Sequence, residues 1–408
     1  MRWLALWTVV VSGAALLGAG PARARDEATV RGLLADALAL YRNARAEQTL
    51  MTVDPNERAL LVGPVFFEGV ETAEDFEVVF LTGDEAFERE LDRGSGLGQG
   101  EAWGPWPAPA RVRRVHDGDR GGLDASSCRS CHFSGGTDGG GTLTQVGLFR
   151  GDGRRLSAAT VRDAPHIMGS GYLQRLAREI EADLADQVRV AVEGAPFNDG
   201  ALAVTLRAKG LRFGEVVVFP DGTLDLSGVA GVGQDLVVRP FGWKGRHADL
   251  VALSDEALQV HLGVQTDSRV ADFAHDPQTW LGDGPAWDPD GDGVSFEANA
   301  GQAMLLGAYM SQLGTPRFEP AEDPRLGLLQ ARGRALFEAV GCAACHVPEL
   351  RVTDTRTVLR STGADPFEYA FDLAQVGQQP RPLRVDPGEG PDGEVPAGVP
   401  VFAFTDLR

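Results

Sequence analysis

The amino-acid sequence predicts a mainly α-helical fold with irregular loops and minor β structure. Apolar side chains recur at helical spacing, most clearly at Leu173, Leu176, Ile180, Leu184 and Val188, a pattern that favours a buried helix face over a binding site. Stretches rich in glycine and proline separate the periodic segments and predict irregular connections. The four cysteines fall into two short units of the same form, which indicates two similar centres in one chain.

Other segments carry recognisable patterns as well. Helices are predicted at residues 26–49, 254–262, 299–313 and 326–340, and in parts of 157–192. Ser254 is the expected N-cap of its helix. Short strands are predicted within 53–81, through the run Val78-Val79-Phe80, and within 204–238, where Phe219-Pro220-Asp221-Gly222 predicts a turn.

The N-terminus has the pattern of a secretory signal peptide. Arg2 is followed by an apolar run at 4–17 and by Ala22-Arg23-Ala24, a small-x-small cleavage site, so residues 1–24 are predicted to be removed. A membrane anchor is the alternative. The run is short for a span, and no later segment reaches the roughly 18 apolar residues that one needs. We therefore expect a periplasmic or otherwise exported protein with no stable membrane span after cleavage.

The net charge limits the classes of partner. A formal charge of −20 argues against binding to nucleic acid or to an anionic membrane. An acidic face would suit a basic redox protein, and it would equally serve as a solvated surface that keeps the protein soluble.

Each cysteine unit reads Cys-x-x-Cys-His, at Cys128–His132 and at Cys342–His346. A disulfide framework in an exported protein does not require histidine directly after the second cysteine, twice. The same histidine argues against a thioredoxin-like pair. A zinc site needs four ligands, and each unit offers three unless the two units meet.

A covalently attached haem explains every element of the unit. The two thiols can each bond one vinyl group of a porphyrin, and the adjacent histidine can ligate the iron. The predicted cofactors are therefore two haem c groups, held by Cys128, Cys131 and His132 and by Cys342, Cys345 and His346. Leu329, Gly333, Leu336 and Phe337 lie at helical spacing just before the second unit. We therefore predict two cytochrome c-like haem domains, at residues 25–314 and 315–408.

An acidic segment predicts a calcium site. Asp288, Asp290 and Asp292 occupy positions 1, 3 and 5 of a calcium loop, with Gly293 at position 6. Glu297 falls at position 10, whereas such loops have their bidentate Glu at position 12. An acidic turn before a helix is the alternative.

Several segments in order, together with the two units, resemble a known family. They are Thr82-Gly83-Asp84-Glu85-Ala86-Phe87, Ala164-Pro165, Gly169-Ser170-Gly171-Tyr172-Leu173, Phe241-Gly242-Trp243-Lys244-Gly245, His261-Leu262-Gly263-Val264-Gln265 and Phe404-Thr405-Asp406-Leu407. The family is that of the di-haem oxidoreductases often called thiol oxidoreductases, which are relatives of bacterial di-haem cytochrome c peroxidases. The resemblance runs from about residue 80 to the end.

Two departures from the family pattern stand out. Gln174 occupies a place where family members usually have Glu. Family members also continue beyond the Thr-Asp-Leu segment into a His-Asp-Met-Gly segment, so the chain is expected to be C-terminally truncated. No Met or His follows His346. The second haem is therefore expected either to take its sixth ligand from an upstream residue or to be five-coordinate.

The resemblance implies reduction of hydrogen peroxide at the first haem, with electrons from a small redox protein entering at the second. His261, and His166 or Met168, are its candidate distal residues; His116, His247 and His275 rank lower. Trp243 would assist electron transfer or pack in the core, and Lys244 and Arg246 would pair with haem propionates. The alternatives are an electron-transfer cytochrome without peroxide chemistry, a di-haem oxidase that modifies a partner protein, and a structural zinc protein.

Overall fold

The computed structural model describes residues 67, 70–89, 91, 125, 127–133, 147–149, 160–162, 164–242, 244–275, 297–316, 321–363, 366–374 and 398–401. All of them belong to the compact unit Val53–Arg408. The predicted signal peptide and the predicted helix at 26–49 lie outside these residues. In the part of the chain that the structure describes, no helix is both long and apolar enough to cross a membrane.

The described residues form six α-helices and nine strands. The helices are α1 Ala73–Glu88, α2 Ser170–Gly194, α3 Leu250–Leu262, α4 Asp267–His275, α5 Ala300–Gln312 and α6 Pro324–Ala339. The strands are β1 Gly147–Phe149, β2 Thr160–Arg162, β3 Leu202–Ala208, β4 Leu211–Val218, β5 Leu224–Asp225, β6 Leu350–Val352, β7 Arg356–Arg360, β8 Glu368–Asp372 and β9 Val399–Val401. They pair antiparallel as β1-β2, β3-β4-β5, β6-β9 and β7-β8.

Helix α5 lies at the centre of the core and is buried along almost its whole length. Helices α1, α2 and α3 all pack against it. Two close contacts require glycine: a Cβ on Gly307 would lie 2.8 Å from Val251 of α3, and one on Gly171 of α2 would lie 2.1 Å from the carbonyl oxygen of Ser311. The sequence predicted this helix correctly. In the structure, Asn299 is its N-cap and forms a capping box with Gln302.

The strand predicted through Val78-Val79-Phe80 is wrong, because these residues belong to helix α1. Thr72 and Asp75 form a capping box, in which the Thr72 N–H donates to Asp75 Oδ2 over 3.0 Å and the Asp75 N–H donates to Thr72 Oγ1 over 3.2 Å. Val78, Val79 and Phe87 are buried at helical spacing. A short β-branched run fits a strand and a buried helix equally well. The capping box at Thr72 favours the helix here.

Helix α3 begins earlier than predicted, so the predicted cap was wrong. Asp249 is the N-cap and accepts the N–H of Ala252 over 2.8 Å. Ser254 lies inside the helix, where its hydroxyl donates to the carbonyl of Leu250 over 2.7 Å.

Three other local predictions are confirmed. The apolar face of α2 is core, since Leu176, Ile180 and Leu184 are fully buried. The turn after β4 closes with a 2.9 Å hydrogen bond from the Gly222 N–H to the carbonyl of Phe219. The helix predicted at 326–340 is α6.

The segment after the second cysteine unit is hydrogen-bonded to α2 through the carboxylate of Glu179. Glu179 accepts the N–H groups of Thr353 and Asp354 over 2.8 and 2.6 Å and the Thr353 hydroxyl over 3.0 Å. Lys209 forms an ion pair with the same carboxylate. Arg175 donates through Nε to the carbonyl of Asp354 over 3.0 Å. The first turns of α2 therefore connect the region of the first unit to the chain that follows the second.

Candidate functional site

The first cysteine unit forms a single tight turn. Residues Cys128–Ser130 are a 3₁₀ turn whose N-cap, Ser127, accepts the N–H of Ser130 over 3.3 Å. The N–H groups of Cys131 and His132 both donate to the carbonyl of Cys128, each over 3.1 Å. The turn brings two thiols and an imidazole together within five residues.

The second unit adopts the same turn. The N–H groups of Cys345 and His346 donate to the carbonyl of Cys342 over 3.2 and 2.8 Å. Cys131 has φ −112° and ψ −25°, and Cys345 has φ −118° and ψ −28°. The caps differ, because Ser127 uses its side chain whereas Gly341 uses a left-handed backbone with φ +87°. The shared motif therefore has a shared geometry.

The imidazole of His132 is oriented by a backbone acceptor. Its Nδ1 atom lies 2.8 Å from the carbonyl oxygen of Pro165. A carbonyl accepts only if Nδ1 carries the proton, and Nε2 then keeps its lone pair. Metal-ligating histidines characteristically donate their other ring N–H in this way. The contact with Pro165 would therefore orient the His132 imidazole for ligation through Nε2.

An aromatic side chain lies near each histidine. The ring centroid of Phe87 in α1 is 6.0 Å from that of His132 and 5.2 Å from that of Tyr309 in α5. The centroid of Phe337 in α6 is 6.4 Å from that of His346. Arg129 pairs with Glu88 at the end of α1 over 3.0 Å. The sequence predicted a helix beside the second unit only, and α1 is the corresponding helix beside the first.

A large cavity opens beside the first unit. Its volume is about 1130 Å³, somewhat above the roughly 300–1,000 Å³ that is common for small-molecule sites. Cys128, Cys131 and His132 line it together with residues 164–170, 239–242 and 244–245, parts of α3 and α5, and Val401. The wall is mainly apolar and joins segments that are distant in sequence. It has the size and the donor set to hold a large, planar, mostly apolar cofactor.

The charges in the wall have one sign. Arg239 and Lys244 line the cavity, and no Asp or Glu does so among the described residues. Asp235 pairs with Arg239; the hydrogen bond from that guanidinium lowers the pKa of the Asp235 carboxyl to about 2. In a chain of net charge −20, such a wall favours an anionic group on the ligand.

The structure places three of the predicted distal residues in one wall. His261, His166 and Met168 line the cavity. Of the other candidates, Trp243 and His116 lie outside the described residues, as does the side chain of His275.

The structure places His247 and Arg246 outside the wall. Both pair with Glu256, and neither contributes to the wall, which is lined by Arg239 and Lys244. Burial favours the neutral form of Glu256, but the hydrogen bond from His247 and the charges of Arg246 and Arg269 outweigh it and lower the pKa of this carboxyl.

Met310 and Arg239 are among the wall residues that sequence reasoning missed. Met310 is buried on the central helix, where its helical spacing resembles that of any core residue. Arg239 precedes Pro240 in an irregular segment that has no periodic signal. Only the fold brings them to the first unit.

Gln174, which stands where the resembled family has Glu, has a structural contact. Its Oε1 accepts the N–H of Leu250 over 2.8 Å, at the start of α3, and its side chain is fully buried. It does not line the cavity. This position supports the helix that carries His261.

The thiol chemistry of the first unit disfavours a dithiol redox site. The four cysteines are all among the described residues, and no disulfide joins them there. Burial, with a smaller contribution from the neighbouring Cys131, raises the pKa of the Cys128 thiol to about 12. A redox-active cysteine has a depressed thiol pKa, which Cys128 does not show.

The second unit is far more exposed than the first. Cys342, Cys345 and His346 are all exposed. On α6, Leu329 and Leu336 are 63% and 52% exposed, so the apolar face predicted for this helix lies open beside the unit.

The predicted calcium ligands fall largely outside the described residues. Asp288, Asp290 and Asp292 are not among them. Glu297 is buried, and its carboxylate accepts the N–H of Gln265 over 2.6 Å. Within the described ranges, no group of three His, Cys, Asp or Glu side chains gathers as a metal site. The calcium site stays a prediction.

Searches against protein-family models, curated proteins and solved structures find no match to the chain. The resemblance to the di-haem oxidoreductases therefore stays a prediction that rests on the sequence segments given above.

Proposed function

We propose that the chain is an exported di-haem c-type cytochrome that reduces hydrogen peroxide. Cys128 and Cys131 would attach one haem and His132 would ligate its iron; Cys342, Cys345 and His346 would hold the other. The observation that carries the proposal is the 2.8 Å contact between His132 Nδ1 and the Pro165 carbonyl, because it leaves Nε2 directed as a ligand.

The residues present fit the group. The cavity has room for a porphyrin, and its wall is mostly apolar, with two cations. When bound, the haems supply one-electron transfer and the site at which hydrogen peroxide takes up two electrons and two protons to give two molecules of water.

The different exposure of the two units supports a division of roles. Cys128 and His132 lie in a recessed wall, where bulk water is partly excluded, whereas the second unit faces solvent. A small redox protein would approach the exposed unit. The enclosed unit would be the reaction centre, since enclosure strengthens the electrostatic effect of every group around the substrate.

His261 and His166 are the candidates for proton transfer to peroxide. Both line the cavity, and histidine is the side chain that enzymes use most often for proton transfer to a reacting group. His261 lies in the last turn of α3, and its carbonyl accepts the N–H of Ala125, just before the first unit, over 3.3 Å. The segment that carries the unit is thereby fixed to the helix that carries this histidine.

The test uses the full, haem-loaded protein. Optical and spin-resonance spectra are recorded before and after one equivalent of peroxide, followed by turnover with a reduced small redox protein. We expect one high-spin iron, a spectral response to peroxide and two donor electrons consumed per peroxide. Two low-spin irons without any response would contradict the proposal.

A second candidate, electron transfer without peroxide chemistry, is favoured by one observation. Met168 and Met310 both line the cavity, and a methionine thioether bound to the iron would close the position that peroxide needs. Replacing each by Leu separates the two functions. If either variant changes the first haem from six- to five-coordinate and creates peroxide turnover, electron transfer is the function of the unmodified protein.

A further inference from the structure

The backbone segments that carry the two cations of the cavity wall lie against each other. A Cβ on Gly245 would lie 2.7 Å from the carbonyl oxygen of Arg239, and Gly245 has φ +64°. The turn that carries Lys244 can therefore pack against the Arg239 backbone only because glycine follows the lysine.

The backbone of Lys244 has an unusual conformation. Its φ is +61°, in the left-handed region that a long side chain seldom occupies. The surrounding turn enforces it, since the N–H groups of Arg246 and His247 both donate to the carbonyl of Phe241, over 2.8 and 3.0 Å. Strained residues of this kind cluster at ligand sites.

Arg239 is held in place from its other side. Its guanidinium binds both oxygens of Asp235, and Nη1 also donates to the carbonyl of Val237 over 3.2 Å. Within the described residues, these contacts use three of the five N–H donors of the Arg239 guanidinium. The carboxylate orients the guanidinium and leaves donors for a second anion.

We infer that Arg239 and Lys244 form the site that binds the two propionate carboxylates of the haem attached at Cys128 and Cys131. The inference rests on the proposed haem in this cavity. It assigns to Arg239 the role that was predicted for Arg246, whose guanidinium pairs with Glu256 over 3.1 Å. A guanidinium and an ammonium in one wall, with no acidic group among its described members, suit two carboxylates.

The assignment has an electrochemical consequence. A positive charge beside the haem favours its reduced form, because the ferric state carries one more positive charge than the ferrous state. Removing a cation should therefore lower the reduction potential of the first haem, and removing the Asp235 carboxylate should raise it. The second haem serves as an internal reference.

The experiment is a redox titration of the haem-loaded full chain, without peroxide, for four variants. Lys244→Gln and Arg239→Gln should each lower the potential of the first haem by on the order of 59 mV, a tenfold change in a one-electron equilibrium. Lys244→Arg keeps the charge and the backbone strain, so it should retain the original potential. Asp235→Asn should shift the potential in the opposite direction.

Arg189→Gln is the remote control, since Arg189 pairs with Asp186 and Glu193 on the exposed part of α2. Equal potentials in Lys244→Gln, Lys244→Arg and Arg189→Gln would overturn the assignment. A lower reduction potential of the first haem in Asp235→Asn would overturn it as well. The reduction potential is measured without peroxide turnover. The propionate assignment can therefore be refuted while the peroxidase proposal holds, and the peroxidase proposal can be refuted while the assignment holds.

Discussion

The imidazole of His132 and the carbonyl of Pro165 lie 2.8 Å apart although 33 positions separate them in sequence. This contact joins the turn of the first cysteine unit to the segment 164–170, which forms another part of the cavity wall. The same segment leads into α2, which Glu179 and Arg175 connect to Thr353 and Asp354. One hydrogen bond thus links a candidate ligand to the core of the fold.

Replacing His261 should affect peroxide chemistry directly. We expect His261→Gln to lower peroxide turnover by on the order of 10²-fold, the usual contribution of a general acid or base. His247→Gln is the matched control, because His247 pairs with Glu256 and does not line the cavity. Steady-state turnover of the two variants is compared at equal haem content. Equal losses in both would show that His261 acts through the fold alone.

Replacing Glu179 should destabilise the protein. Glu179→Gln removes the negative charge that pairs with Lys209, a partly buried cation. We expect a loss of roughly 1–3 kcal/mol in the free energy of unfolding. Glu193→Gln, at an exposed ion pair with Arg189, should cost at most about 0.5 kcal/mol. Denaturant titration measures both, and a similar small loss in the two variants would contradict the role of this contact.

The same carboxylate gives a pH dependence. Burial alone would raise the pKa of Glu179, but Lys209 and the N–H groups of Asp354 and Thr353 outweigh it and lower this pKa. A lowered folded-state pKa means that the stabilisation is complete above the unfolded-state pKa of Glu, about 4.3, and is lost as pH falls through the folded value. The stability difference between the unmodified protein and Glu179→Gln should therefore shrink on acidification. A difference that grows would refute this sign.

Replacing Gln174 should affect stability without directly removing a cavity group. Gln174→Leu leaves the buried N–H of Leu250 without its acceptor, which costs roughly 1–3 kcal/mol. Gln187→Leu, at a partly exposed site where water can replace the lost bonds, should change stability by less than about 0.5 kcal/mol. Thermal unfolding compares the two. Loss of peroxide turnover in a fully folded Gln174→Leu protein would instead make position 174 part of the site.

Local signals allowed the sequence to predict several elements. Helix α5 carries its own capping box at Asn299, α6 begins at Asp323 and Pro324, and the turn at Phe219–Gly222 contains the residues that its geometry requires. The Cys-x-x-Cys-His units are likewise local, since each turn is closed by hydrogen bonds within five residues.

The rest of the site depends on contacts between distant segments. The cavity beside the first unit is lined by Phe87 from α1, Pro165 from the segment before α2 and Met310 from α5. Their local patterns are those of ordinary core or loop residues, so no periodicity marks them as part of a site. Val78 and Val79 show the same limit for secondary structure, because a β-branched pair fits a strand or a buried helix face equally well.

The most direct test of the account is the haem stoichiometry of the protein expressed with export and cytochrome c maturation. Intact-mass spectrometry of the denatured chain, together with its haem absorbance, should show two covalent haems. Cys128→Ala with Cys131→Ala should retain one haem, and Cys342→Ala with Cys345→Ala should retain the other. A polypeptide mass without haem, or an unchanged mass increment in either double variant, would contradict haem attachment at these two units.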